Sequence, residues 1–292
     1  MHDGEVDVDR ATVTRLVAGQ FPQWAHLSVA PLPSAGTDNA MFRLGDQMLV
    51  RLPRIEWAAA DVDREQAWLP RLAPQLPFAV PTPLAMGEPG DGYPWRWSIY
   101  TWLDGANPTV EHLDDPVGLT RDLAQFTSAL QSIDRTGAPR AGRGEFLHER
   151  DAATRSAVAA LDTVLDGEAV ARVWSHALRA KPWEGEPVWI HGDLSPGNLL
   201  VENGRLRAVI DFGGVGVGDP ACDLIVAWNL LPASARGAFH EATRVDDATW
   251  LRGAGWALSI ALIQLPYYGL TNPSLAANAR RVISEVLAAP IS

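Results

Sequence analysis

Apolar residues at Val13, Leu16, Val17 and Phe21 recur at the three-to-four-residue spacing of a helix face, which predicts a helix over residues 8–21. Short apolar runs follow at 27–32, 41–44 and 48–52. They are too short for helices and read as strands, the last two joined into a hairpin by Gly45-Asp46. Residues 61–72 alternate acidic, basic and apolar side chains as a helix does. Pro74, Pro77, Pro81 and Pro83 then punctuate the chain before a further strand at 98–103. The first 104 residues are therefore expected to form a strand-rich unit with an inserted helix.

After Asp104-Gly105 the pattern changes. Helical spacing predicts helices over 117–133, 150–165, 167–179, 221–231, 246–265 and 275–287, interrupted between Val188 and Phe212 by short β-runs. The expected class is α+β, with an N-terminal antiparallel sheet plus helix (residues 1–104) and a larger, mainly helical C-terminal lobe (residues 105–292).

Charge and composition narrow the field. Lys and Arg number 24 against 35 Asp and Glu, a net charge of −11. Nucleic acid is held through many Lys and Arg contacts to phosphate, so it is not an expected partner. The acidity is spread along the whole chain, and a cationic small molecule is compatible with it. Cys222 is the one cysteine, which leaves no internal disulfide and no cysteine-based zinc site. The N-terminal residues MHDGEVDVDR contain no apolar stretch, and no run of about 18 apolar residues occurs. Neither a signal peptide nor a membrane span is expected, and the cytoplasm is the natural compartment. Among the basic residues only Lys181 is a lysine, which restricts which side chains can do a lysine's work.

The chemistry concentrates in one stretch. His191-Gly192-Asp193-Leu194-Ser195-Pro196-Gly197-Asn198 leads into an apolar run, the turn Asn203-Gly204, a second run at 205–210, and Asp211-Phe212-Gly213. An Asn-Gly step suits the type I′ turn of a tight hairpin, because both residues tolerate positive φ. With Glu202 opposite Arg205, period-2 alternation places Asn198 and Asp211 on one face, about two residues or ~7 Å apart. An amide and a carboxylate held so suit Mg²⁺, a hard cation that takes oxygen ligands and fills its other positions with water or phosphate. Asp193 lies on the loop feeding the same hairpin. It can face such a site without being a ligand, where a base orienting a hydroxyl toward a γ-phosphate belongs.

These motifs resemble those of the aminoglycoside phosphotransferase family, within the protein-kinase-like superfamily of antibiotic and small-molecule kinases. The stretch 191–198 is similar to that family's catalytic loop. Residues 210–213, with Gly218-Asp219-Pro220-Ala221-Cys222-Asp223-Leu224, are similar to its metal loop and the turn beyond. The resemblance implies a two-lobed kinase-like fold, Asp193 as catalytic base, Asn198 and Asp211 as Mg²⁺ ligands, and Asp223 bracing the catalytic loop. It implies ATP or GTP as phosphoryl donor and a hydroxyl-bearing small molecule as acceptor, an aminoglycoside or related antibiotic being favoured. Asp219-Pro220 follows Asp211 too closely for the activation segment that a protein kinase uses to hold a peptide, so a peptide acceptor is not expected.

On the nucleotide side the family places a strand lysine, paired with a glutamate of the next helix, against the phosphates. Here Arg51 stands in that place, with Glu65 as the expected partner. Arginine carries the charge, but its planar fork is not equivalent to an ammonium. Ser34, Gly36 and Thr37 lie where a phosphate-covering loop belongs, an ordinary hairpin loop being the alternative. Residues 97–105 resemble the strand and hinge that bind the base through backbone groups of Thr101 to Leu103, with Tyr100 at the back of the base pocket, where its ring is expected to weigh GTP against ATP. Trp228, Trp250, Trp256, Tyr267, Tyr268, Glu241, Asp246 and Asp247 fall in the region where the family builds its acceptor pocket; aromatics at helical spacing are more usually core, and packing is the favoured reading of these. Trp183, Glu184 and Glu186 either line its entrance or form an exposed loop. Two other readings stay open: a metabolic kinase acting on a sugar or amino alcohol, and a nucleotide-binding pseudokinase in which Arg51 marks lost catalysis.

Overall fold

A computed structural model describes residues 5–32, 38–161, 164–269 and 272–289. The chain divides into two compact units, Met1–Gly105 with Ala208–Gly213, and Ala106–Arg207 with Gly214–Ser292. Among the described residues no helix is long and apolar enough to cross a membrane.

In the first unit, α1 (Arg10–Gln20) begins where the Asp9 carboxylate accepts from Thr12 N–H at 2.8 Å, a side-chain cap for an otherwise unpaired helical donor. Five antiparallel strands follow: β1 (Val29–Pro31), β2 (Asn39–Leu44), β3 (Met48–Pro53), β4 (Pro83–Gly87) and β5 (Trp97–Thr101), in the spatial order β1-β2-β3-β5-β4. The β2–β3 hairpin turns at Gly45, whose φ of +55° is left-handed. Cross-strand register aligns Phe42 with Val50 and Val50 with Ile99, and these residues are buried with Val13, Leu16 and Val17 of α1. Since successive strand residues point to opposite faces, Arg51 and its neighbour Ser98 face away from that core. They face α2 (Glu56–Leu72), whose Gln66 donates to Ser98 Oγ at 3.0 Å. The helix starts one turn earlier than the charge alternation suggests, because Trp57-Ala58-Ala59-Ala60 favours helix without showing an amphipathic period.

The second unit contains α3 (Pro116–Ser132), α4 (Asp151–Ala160), α5 (Gly167–Arg179), α6 (Val226–Asn229), α7 (Ala233–Thr243), α8 (Asp247–Tyr268) and α9 (Pro273–Ala288). Its strands β6 (Val188–Ile190) and β9 (Gly216–Gly218) pair, and β7 (Leu199–Glu202) forms a hairpin with β8 (Arg205–Val209), the last two residues of which are counted with the first unit. Asn203 and Gly204 take φ of +51° and +75°, the two positive values that a type I′ turn requires. The buried Asp122 of α3 accepts from Arg205 Nε at 2.7 Å and from Leu206 N–H at 3.1 Å, fastening the hairpin to the helix. Central to this unit is α8, buried along most of its length.

The expected helix over 221–231 is instead a 3₁₀ segment (Pro220–Ile225) followed by the one-turn α6. Both are buried at every residue, so packing overrides helical regularity there. Asp219 caps the 3₁₀ segment through Ala221 N–H at 2.9 Å and pairs with Arg252 of α8, Nε to Oδ2, at 2.7 Å. Helix α7 was not expected from the pattern. Its sequence contains Gly237 and buries only Ala235, Arg236 and Phe239, too few apolar positions to show a period.

The Arg252–Asp219 pair is almost fully buried. Removing one partner of such a pair strands the other charge in the interior, so Arg252→Leu is expected to lower stability by about 3 kcal/mol or more. Chemical denaturation of the variant beside wild type measures the loss.

Candidate active site

Arg51 organises a polar cluster inside the first unit. Strand alternation turns it toward α2, where Nη1 donates to Glu65 Oε1 at 2.7 Å. Nη2 meets Asp211 Oδ1 at 2.5 Å. With its amide oxygen toward the guanidinium, Asn39 accepts from Nη2 at 3.0 Å and Nε at 3.3 Å. Burial works against the guanidinium charge, but the Asp211 and Glu65 carboxylates more than offset it, and Arg51 holds its proton well above the usual arginine range. The other oxygen of the buried Glu65 accepts from the Tyr100 hydroxyl. Burial, followed by the Glu65 charge, pushes the Tyr100 phenol well above its ordinary value, so it stays a donor.

Asp211 has a left-handed backbone, φ +64°. That conformation costs a non-glycine residue roughly 1–2 kcal/mol, and strained backbone of this kind concentrates at functional sites. Asp61 of α2 belongs to the same cluster. A methyl group built on Gly213 would sit 2.8 Å from its carboxylate, so the glycine is what lets the 211–213 segment approach the helix. Burial raises Asp61 from 3.8 to about 6, Arg51 pulling it down and Glu65 pushing it up.

In the stretch expected to bind the base, Thr101 N–H donates to Thr82 at 3.0 Å and Trp102 N–H to Gln47 at 2.8 Å. Leu103 N–H is left as the donor of that stretch without a backbone partner among the described residues. Ser34, Gly36 and Thr37 lie outside the described residues.

The second unit carries the loop expected to hold the base. Asp223, fully enclosed, accepts from His191 N–H through Oδ2 at 2.7 Å and from Gly192 N–H through Oδ1 at 2.8 Å. Burial raises its carboxyl, and the His191 ring and these two backbone donors pull it back down. The next residue, Asp193, donates its N–H to His191 Nδ1 at 3.2 Å, which makes that ring nitrogen an acceptor. The Asp193 carboxylate is held from both sides. Arg143 Nη1 lies 2.7 Å from Oδ1, and Asn198 Nδ2 donates to Oδ2 at 3.0 Å and to the Asp193 carbonyl at 2.9 Å. Asn107 ties down the turn between them, its amide donating to the Gly197 and Leu199 carbonyls at 2.9 and 2.8 Å.

Arg51, Glu65, Tyr100 and Asp211 thus gather in the first unit, and Asp193 and Asn198 in the second. Asn39, Asp61, Asn107 and Arg143 were not singled out from the sequence. Arg143 alone left a trace there, as a cation between two glycines in Ala141-Gly142-Arg143-Gly144.

Of the acceptor-region residues, Trp228 and Trp256 are core, and Trp250 packs on the first and stacks on His240 at 4.5 Å. Asp246 caps α8 through Thr249 N–H at 2.7 Å. Tyr267 is half exposed, edge-on to Tyr268 at 4.7 Å. The 183–186 segment is a self-contained loop, Trp183 Nε1 donating to the Glu186 carbonyl at 3.1 Å and Glu184 pairing with Lys181 at 2.7 Å.

Among the described residues no group of three or more His, Cys, Asp and Glu forms a metal cluster. The expected donor set is different in kind, one amide and one carboxylate. Each is a donor of the kind a hard cation takes: the Asn198 nitrogen is committed to Asp193, so its amide would offer the oxygen, and the Asp211 side chain is 44% exposed.

An antiparallel sheet with a buried Arg–Glu pair beneath it, followed by a helical unit carrying His-x-Asp and Asn on a braced loop, defines a kinase-like phosphotransferase fold. The chain matches the phosphotransferase enzyme family over residues 29–256 and belongs to it. It is 37% identical over 70 residues to an aminoglycoside 3'-phosphotransferase of Escherichia coli, covering 24% of this chain and 26% of that one. The chain therefore spans about a quarter of that curated relative's length. The GDP complex of wild-type aminoglycoside 2'-phosphotransferase-IIIa superposes with a TM-score of 0.76 at 19% identity, covering 96% of this chain and 99% of that one. The macrolide 2'-phosphotransferase MphH of Brachybacterium faecium does so at 0.63 and 22%, covering 97% and 98%. At such identities the likeness is one of fold.

Asp61 yields a pH signature. Its folded value of about 6 lies above the ordinary 3.8, so its contribution to stability is complete below pH 3.8 and is lost as pH rises through about 6. Asp61→Asn is expected to melt with wild type near about pH 4 and above it at about pH 7.5. Thermal unfolding of both proteins in metal-free buffer checks this. A variant less stable at both pH values would show that attraction to Arg51 outweighs burial.

Proposed function

We propose that this protein is a small-molecule kinase that moves the γ-phosphoryl group of ATP or GTP to a hydroxyl of an aminoglycoside or related antibiotic. The observation that carries this reading is the Asp193 carboxylate, oriented by Arg143 and Asn198 on a loop braced by buried Asp223, in a chain of the phosphotransferase enzyme family.

In the proposed step the acceptor oxygen forms a bond to the γ-phosphorus as the bond from that phosphorus to the β–γ bridging oxygen breaks. The hydroxyl proton passes to Asp193 and from there to water, and the nucleoside diphosphate leaves with the bridging oxygen. Little covalent help is needed from the protein in such a transfer, so positioning and charge supply the catalysis. Arg51, fixed by Glu65, supplies positive charge for the phosphates. Asn198 and Asp211 would hold Mg²⁺, whose charge offsets that of the transferring group when bound. Leu103 N–H supplies a backbone donor for the base. The acceptor class is supported by the relatives, which are named for aminoglycosides and a macrolide, and by the chain's acidity, which suits polyamine sugars.

Turnover of ATP and GTP against a panel of aminoglycosides, macrolides, sugars and amino alcohols, with the product identified by mass, tests the reading. An antibiotic is expected to gain one phosphoryl group. Phosphorylation of a metabolite alone would move the protein to the metabolic kinases, and no turnover would favour a pseudokinase. Asp193→Asn is expected to lower kcat by roughly 10²–10⁴-fold while nucleotide binding persists. Unchanged turnover in that variant would refute the assignment of the base.

Tyr100 is buried with its hydroxyl tied to Glu65, so its ring is a fixed wall for the base. The ratio of kcat/KM for GTP to that for ATP is expected to differ from one in wild type and to shift in Tyr100→Ala. Equal turnover of both nucleotides in both proteins would remove Tyr100 from nucleotide selection.

A further inference from the structure

The loop around Arg143 is built with more care than a connection between helices needs. Pro139, Ala141 and Gly142 run against the segment 214–218: Val217 N–H donates to Pro139 at 2.8 Å, Ala141 N–H returns to Val217 at 3.0 Å, and Gly142 N–H donates to Gly214 at 2.8 Å. The two backbones touch so closely that a methyl group on Gly216 would lie 2.4 Å from Ala141 N, and one on Gly218 2.8 Å from Gly144 Cα. Only glycine fits at either place. The loop tightens again where Gly144 N–H donates to Ala141 at 3.0 Å.

This anchored loop presents one side chain to the catalytic loop. Arg143 Nη1 lies 2.7 Å from Asp193 Oδ1 and donates to the Gly192 carbonyl at 2.8 Å. The nearby acid in sequence, Glu145, is taken by Arg150 at 2.9 Å. The guanidinium is therefore directed to Asp193. The Asp193 charge is also the largest influence on Arg143, holding its proton above the ordinary arginine range against burial. A carboxylate has about four lone-pair positions, so pairing Oδ1 with Arg143 and Oδ2 with Asn198 fixes its orientation and still leaves room to accept a hydroxyl proton.

We propose that Arg143 is a positioning residue for phosphoryl transfer, holding the Asp193 carboxylate in the orientation that receives the acceptor hydroxyl. The cation comes from a loop bolted to residues 214–218, so the base is placed without a segment that must first be switched into position. This rests on Asp193 being the base, as proposed above.

The test compares Arg143→Gln, Arg143→Lys and Arg143→Ala with wild type, with nucleotide affinity measured directly to show that each variant folds. A positioning role lowers kcat in Arg143→Gln by about ten- to a hundredfold with KM for nucleotide nearly unchanged, the scale of a misplaced catalytic group. It also predicts partial recovery in Arg143→Lys, and in Arg143→Ala on adding guanidinium ion. Wild-type kcat in Arg143→Gln, or a loss that neither lysine nor guanidinium recovers, overturns the proposal. Melting temperatures supply a readout independent of turnover. The double variant Arg143→Gln/Asp193→Asn is expected to be no less stable than the weaker single variant, because both break one interaction, and additive losses overturn the pairing. A wild type that phosphorylates no acceptor defeats the kinase reading by itself, and the melting cycle then decides whether Arg143 and Asp193 act as a pair.

Discussion

The loop at 191–198 depends on a buried anion. Asp223 is buried, where an unpaired carboxylate costs several kcal/mol. It persists because two consecutive backbone N–H groups, those of His191 and Gly192, converge on its two oxygens. That convergence constrains the chain. Gly192 must take φ +82°, which few residues tolerate, and the turn brings Asp193 N–H onto His191 Nδ1. From there the side chain of Asp193 meets Arg143 and Asn198. A carboxylate that never touches a substrate thus decides where the proposed base points.

In the first unit the same logic runs through Arg51. A lysine in its place would offer a compact ammonium on a flexible stem. The guanidinium reaches Glu65 with one terminal nitrogen and Asp211 with the other, while Asn39 takes the side of the fork. Its planar geometry links strand, helix and the left-handed Asp211 in one rigid arrangement. An arginine at this position is therefore compatible with an ordered site.

Much of this was legible because it is local. The Asn203-Gly204 turn announces itself by the φ values it needs, and strand alternation alone turns Arg51 away from Val50 and toward the helix that bears Glu65. What stayed hidden depends on contacts made at long range. Arg143 meets Asp193 across fifty residues, from a Pro- and Gly-rich stretch with no period to mark its direction. Asn39 and Asn107 act through backbone and side-chain geometry that no spacing encodes. The 3₁₀ segment at 220–225 carries a helix's apolar content, and only burial on every side, with Asp219 fastened to Arg252, explains why it does not continue as one.

The two units share an electrostatic design. The protein carries a net charge of −11, and a nucleoside triphosphate is itself strongly anionic, so bare carboxylates at the proposed site would repel the donor they are meant to serve. Each of the two proposed aspartates already has a guanidinium: Asp211 has Arg51, and Asp193 has Arg143. Their charges are offset before any ligand arrives. Both arginines are themselves fixed, Arg51 by Glu65 and Asn39 and Arg143 by the Gly192 carbonyl and its anchored loop. Charges held in place beforehand need not reorganise during the reaction, and a transfer that depends on positioning more than on covalent chemistry gains most from that.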